Sequence, residues 1–123
     1  MKHVPHPYYA KLKRVLVRAG DLYTVQDILD ELAAKTMQSF VEGESVAITR
    51  IAIYPRCKVV EVLAVVGKID EARILHDRVL IFAAEVGAKV IQAYGRKGWL
   101  HDAQRRGWKV IAENYVYQRD IEP

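Results

Sequence analysis

The stretch that decides the fold is residues 58–98, KVVEVLAVVGKIDEARILHDRVLIFAAEVGAKVIQAYGRKG. It reads as strand, helix, strand. Val59, Val60, Val62, Leu63, Ala64, Val65 and Val66 form a nearly unbroken apolar run, interrupted by Glu61. A run that short, rich in β-branched residues and closed by Gly67, predicts a strand covered on both faces. Asp70 is placed to cap the helix that follows, and the acidic pair Asp70 and Glu71 suits its positive end. Ala72, Leu75, Val79, Phe82, Ala83 and Val86 recur at helical spacing as a core-facing stripe. Gly87 is placed to end the helix. Residues 89–94 make a second short strand, closed by Gly95. Two strands joined by a helical crossover are expected to be parallel and right-handed.

Outward from this unit, toward the N-terminus, residues 46–54 read as a strand and Pro55-Arg56-Cys57-Lys58 as a turn, so 46–66 is a hairpin. Cys57, the only cysteine, is expected to be exposed in that turn. No His or Asp lies near it in sequence, which argues against a catalytic thiol. Further back, Thr24 is a good N-cap, with Asp27 three residues on in the manner of a capping box. Val25, Ile28, Leu29, Leu32, Ala33, Met37 and Phe40 then follow one helical face, and Gly43 ends the segment. Residues 12–18 fit a short edge strand or a helical turn. Residues 1–11 carry Pro5, Pro7, His3 and His6 and read as a loose, frayed arm ahead of a single domain at 12–123.

Toward the C-terminus, Gly95-Arg96-Lys97-Gly98 leads into a short helix at 99–106, stopped by Gly107. Residues 108–118 alternate as one or two strands. The order is β-α-β-β-α-β-α-β: an α/β fold with a mixed sheet and helices on both faces. At 123 residues, with 51% apolar and 28% charged side chains, the chain is an ordinary single globular domain. No apolar run approaches the roughly 20 residues of a membrane span, and the opening MKHVPHPYY lacks the apolar core of a secretion signal. The net charge of +4 permits weak contact with anions without declaring a nucleic-acid protein.

This order resembles the GNAT fold of the Gcn5-related N-acetyltransferases: a hairpin, a long helix after the fourth strand, a fifth strand, a short helix and closing strands. The segments 46–54, 58–66, 71–86, 89–94, 99–106 and 108–118 map onto it. RVLVRAGDLYTVQDILDEL resembles the family's opening strand and first helix, which favours a strand at 15–17. The strings MQSF, AYGRKGW and RRGWKV further resemble small GNAT-like proteins of tailed bacteriophages, often encoded beside virion genes. That likeness implies a virion or assembly component, found in the virion or the host cytoplasm, with other virion proteins or a second copy as partners.

The resemblance also implies where chemistry would sit. In the family, the pyrophosphate of acetyl-CoA lies on backbone N–H groups at the start of the long helix, on a loop Arg/Gln-x-x-Gly-x-Gly/Ala. Here the matching residues are 66–72, VGKIDEA, with Gly67 alone present. Val65, Gly67, Lys68 and Ala72 would be the cofactor contacts, yet Asp70 and Glu71 put carboxylates where the anion belongs. No bound cofactor is therefore expected, with acetyl-CoA as the ligand if the chain is a transferase. Glu61, on the central strand, is the candidate base; the preferred plainer reading has it paired with a basic residue or facing solvent. The family's acid, a tyrosine on the short helix, is missing, and Tyr94, His101 and Tyr115 stand in by proximity. His3 and His6 lack a Cys partner, so no metal site is expected, and His76 is expected on a solvent face. Arg96, Lys97, Arg105, Arg106 and Lys109, flanked by Trp99 and Trp108, form a basic patch suited to nucleic acid or an acidic protein.

Overall fold

The computed structural model describes residues 9–18, 21–93 and 104–108. The chain forms two compact units, Met1–Ala93 and Tyr94–Pro123. In the first, the elements run α1 (Tyr9–Arg18), α2 (Val25–Ala33), β1 (Gln38–Glu42), β2 (Ser45–Ile53), β3 (Lys58–Val66), α3 (Ile69–Glu85) and β4 (Val90–Ala93). The four strands form one sheet in the order β1-β2-β3-β4. The β1–β2 and β2–β3 pairs are antiparallel, and β3–β4 is parallel, with Val59 opposite Val90 and Val62 opposite Ala93. The crossover read from 58–98 is thus present, with α3 carrying the chain between parallel neighbours.

One irregularity sets the two-sidedness of β3. Ile48 pairs with Ala64 and Thr49 with Val62, so Leu63 is an extra residue on β3, a β-bulge. Side chains alternate along a strand, and the bulge reverses the alternation. Val60 and Val62 pack with Leu75, Val79 and Ala83 of α3, together with Ala47 of β2. Past the bulge, Ala64 and Val66 face the opposite side, where Leu12 and Leu16 of α1 and Ile28 and Leu32 of α2 close a second cluster. The apolar run of β3 is continuous because both faces are covered by helices.

Three expectations change at the N-terminal end. The strand expected at 15–17 is part of α1, and the arm expected to end at residue 11 gives way to helix at Tyr9. Leu12 and Leu16 are spaced four apart and are 0% and 3% exposed, whereas Lys11, Lys13 and Arg14 beside them are exposed. That is a helical stripe, not the alternation of a strand. The helix expected to run on toward Gly43 stops at Ala33. Lys35 adopts a left-handed φ of 62°, and Met37 N–H and Thr36 Oγ1 return to the carbonyl of Glu31. Met37 joins the α1–α2 cluster, whereas Phe40 lies on the other side of the sheet against Phe82 of α3. A single helical face cannot serve both sides of a sheet, so the apparent period across Met37 and Phe40 conceals strand β1. Gly43, with φ of 56°, turns the β1–β2 hairpin. Along the described residues, therefore, the order is α-α-β-β-β-α-β where β-α-β-β-α-β was expected.

In the second unit, Gln104 and Arg105 are helical and Gly107, at φ of 89°, returns its N–H to the carbonyl of Gln104.

Candidate functional site

Two polar constellations stand out on this frame. The first is built around Glu61, which is 3% exposed in the middle of β3. The β2–β3 register places Arg50 directly opposite. Arg50 Nε and Nη2 both donate to Glu61 Oε1, at 3.1 and 2.7 Å, and Tyr54 Oη–H donates to Oε2 at 3.0 Å. Arg50 Nη1 extends the chain to the Tyr23 hydroxyl, just ahead of α2, at 2.6 Å. Both oxygens of the buried carboxylate are thereby engaged by donors, the condition under which a buried charge is tolerated. Of the two simple placements open to Glu61 at the sequence level, the basic partner is the one present.

The second constellation joins the β1–β2 turn to the start of α3. Glu71 Oε1 accepts from Ser45 Oγ–H at 2.8 Å and from the Glu44 N–H at 3.3 Å. Ser45 Oγ in turn accepts from the Lys68 N–H at 2.9 Å. Lys68 Nζ pairs with Glu44 Oε2 at 3.2 Å. The Lys68 pKa is raised above 10.5, first by its hydrogen bond to Glu44, then by the charges of Glu44 and Glu71. The cap expected from Asp70 is not made: the N-cap of α3 is Lys68, with no side-chain cap hydrogen bond. Glu71 turns away from its own helix end toward the hairpin, because Ser45 and Glu44 offer it two donors.

Gly67 has a steric role in this joint. Its φ is 130°, and a Cβ there would lie 2.7 Å from Ser45 Cα, closer than any side chain sits. Of the other cofactor candidates, Val65 is half-buried against the α3 cluster, Ala72 is buried and Lys68 is exposed. Tyr94, His101, Tyr115, Arg96, Lys97 and Lys109 lie outside the described residues. Arg105 is exposed and Arg106 half-buried. His76 is more enclosed than expected, with its side chain 17% exposed and Nδ1 3.0 Å from Asp77 Oδ1. Cys57 is half-buried rather than exposed, since the 54–57 turn closes through Tyr54 N–H to its carbonyl. Among the described residues no three His, Cys, Asp or Glu side chains gather to hold a metal, and no helix is long and apolar enough to cross a membrane.

Reasoning from sequence missed Arg50, Tyr54 and Tyr23 around Glu61, and Glu44 and Ser45 at the α3 joint. One signal was there for Arg50: a lone charge in the apolar strand 46–53, facing the lone charge inside 59–66 once the hairpin is closed at Ile53 and Lys58.

No family model and no curated protein matches the chain. Solved structures do. TTHA1254 from Thermus thermophilus superposes with a TM-score of 0.61 at 16% identity, covering 99% of this chain and 97% of that one. A point mutant of the same protein gives 0.63. A crystal structure described as a probable acetyltransferase gives 0.62 at 10% identity, covering 98% of this chain and 96% of that one. At such identities the likeness fixes the fold: a mixed α/β architecture of GNAT type.

Proposed function

We propose that this chain is a GNAT-fold protein without transferase activity, acting through protein contacts as a virion or assembly component of a bacteriophage. The observation that carries the first half is the joint between the β1–β2 turn and α3. In the family the chain resembles, that loop holds the cofactor's pyrophosphate on backbone N–H groups. Here its one glycine is packed against Ser45, the Lys68 N–H is given to Ser45 Oγ, and the carboxylates of Glu44 and Glu71 stand beside it. A di-anion brought there meets the carboxylate of Glu71, held by Ser45, the carboxylate of Glu44, and a lysine already paired with Glu44. The virion role rests on the resemblance to small phage proteins, with the host cytoplasm as the site of assembly.

A second reading, an acetyl-CoA-dependent N-acyltransferase, is favoured by one feature. The first N–H groups of α3 carry no side-chain cap, and such groups attract anions. In that reading Glu61 is the base, and the fold neighbour described as a probable acetyltransferase is its companion. It asks Glu61 to give up hydrogen bonds from Arg50 and Tyr54 before taking a proton.

Thermal unfolding with acetyl-CoA separates the two. A ligand bound to the folded state raises Tm, by about 2.7 kcal/mol of stabilisation at a hundred times Kd. No rise at millimolar cofactor is expected; a saturable rise would overturn the proposal. For the virion role, mass spectrometry of purified particles of the encoding phage should find the chain at stoichiometric copy number, and its absence from them removes that role.

A further inference from the structure

β1 stands at the edge of the described sheet, with β2 on one side only. The turn Gly43-Glu44 joins Glu42 to its direct partner Ser45, and the residues flanking a two-residue hairpin turn exchange ladder hydrogen bonds. Bonded and unbonded pairs alternate along an antiparallel ladder. Glu42, Phe40 and Gln38 therefore bond to β2, and Val41 and Ser39 turn their N–H and C=O groups outward. An outward row of this kind is a template for another strand, and proteins cover it. Here the cover is one side chain, Arg78 of α3. Its guanidinium carbon lies 5.9 Å from the centre of the Phe40 ring, its Nη1 donates to the Val41 carbonyl at 2.7 Å, and Glu42 Oε1 is 3.7 Å away. Arg78 thus passes from the α3 face of the sheet around to its rim.

The rim under this cover is complementary to itself. Two copies of β1 set antiparallel about an axis at Phe40 bring Ser39 opposite Val41 of the second copy. Their outward N–H and C=O groups then exchange hydrogen bonds. Phe40, on the α3 side of the sheet, comes beside its own copy as an aromatic cross-strand pair. Gln38 stands opposite Glu42 of the second copy. Its Oε1 accepts from Thr49 Oγ1, which leaves the amide N–H groups to donate to that carboxylate. No like charges meet. In the two neighbouring registers, with Ser39 or Val41 facing itself, Phe40 meets Gln38 or Glu42 instead. The acceptor already taken in this pattern is the Val41 carbonyl, and its holder also covers the Phe40 ring. We propose that Arg78 is a latch on β1, and that the rim it closes takes β1 of a second copy, Ser39 to Val41, once the latch is released. The inference uses no residue of the α3 joint and is independent of whether the chain is a transferase.

The test is the solution mass of the full chain and its variants, by light scattering over a range of concentrations. Arg78→Met keeps a side chain over Phe40 and removes the donors. It is expected to reach twice the mass of the wild-type chain at the same, rising concentration. Adding Ser39→Pro removes the outward N–H of Ser39 and leaves the bonds to β2 in place, so Arg78→Met/Ser39→Pro should return to the wild-type mass. Hydrogen exchange locates the contact. The Ser39 and Val41 amides should slow about tenfold once about nine chains in ten of Arg78→Met are paired, since only the free tenth exchanges. Tm of each variant reports its folding, and Arg78→Ala serves where Arg78→Met unfolds the chain. The proposal is overturned by Arg78 variants that gain no mass up to millimolar concentration. It is overturned equally by a gain that Ser39→Pro leaves intact, by Ser39 and Val41 amides that exchange as before, or by a wild-type chain already paired through β1.

Discussion

Glu61 carries the charge decision at the residue scale. A carboxylate at 3% exposure with three donated hydrogen bonds is secure only while its partners remain. Removing its charge leaves Arg50 facing an amide. Breaking a buried pair costs about 3–5 kcal/mol, but the Arg50 side chain is 39% exposed and water offsets part of the loss. Glu61→Gln is therefore expected to cost about 1–3 kcal/mol in urea unfolding. The Arg50→Met/Glu61→Leu double variant should be less destabilised than the sum of the two single changes, since neither charge is then stranded. Additive losses would show that the pair is not coupled. Gly67 makes the second residue-scale prediction. Gly67→Ala places a methyl 2.7 Å from Ser45 Cα at a φ of 130°, a loss of about 2 kcal/mol or more. A neutral result would remove the steric account of this glycine and return it to the cofactor reading.

At the scale of elements, α1 is the test of how the core is assembled. Leu12 is 0% exposed and shares a cluster with α2, Met37 and the sheet. Leu12→Ala is expected to cost about 2–5 kcal/mol, read as a lower midpoint in denaturant. A segment lying outside the core would lose nothing. The helix was hidden in the sequence because a five-residue window, RVLVR, shows no period; it takes the spacing from Tyr9 through Leu12 to Leu16 to reveal one. Strand β1 was hidden for the opposite reason. Met37 and Phe40 happen to continue the period of α2, and helix termination falls to Lys35 in a left-handed conformation with no Gly or Pro to announce it. By contrast, the apolar stripe of α3 was legible: every position of it is buried or half-buried, as a helix packed on one side of a sheet requires.

At the scale of the whole molecule, the Met1–Ala93 unit is a sheet with a helical layer on each side, and its clasp spans distant sequence. Glu71 accepts from Glu44 and Ser45 across 27 and 26 residues of chain. Glu71→Ala leaves the Glu44 N–H and Ser45 Oγ without their acceptor. A loss of about 1–2 kcal/mol is expected, with faster hydrogen exchange at the Glu44 amide than in β2; unchanged exchange there would mean the clasp holds nothing. The amino-acid sequence by itself determined the β3–α3–β4 crossover, the β2–β3 hairpin, the Thr24 cap and the two-sided cover of β3, because each follows from local periodicity, capping chemistry or turn residues. Only the tertiary structure decided that Arg50 rather than solvent meets Glu61, that Gly67 answers to Ser45, and that Glu71 leaves its own helix for a hairpin. Those pairings depend on register and on close approach between strands and helices, and a shift of one residue in the β2–β3 turn changes which side chain stands opposite which.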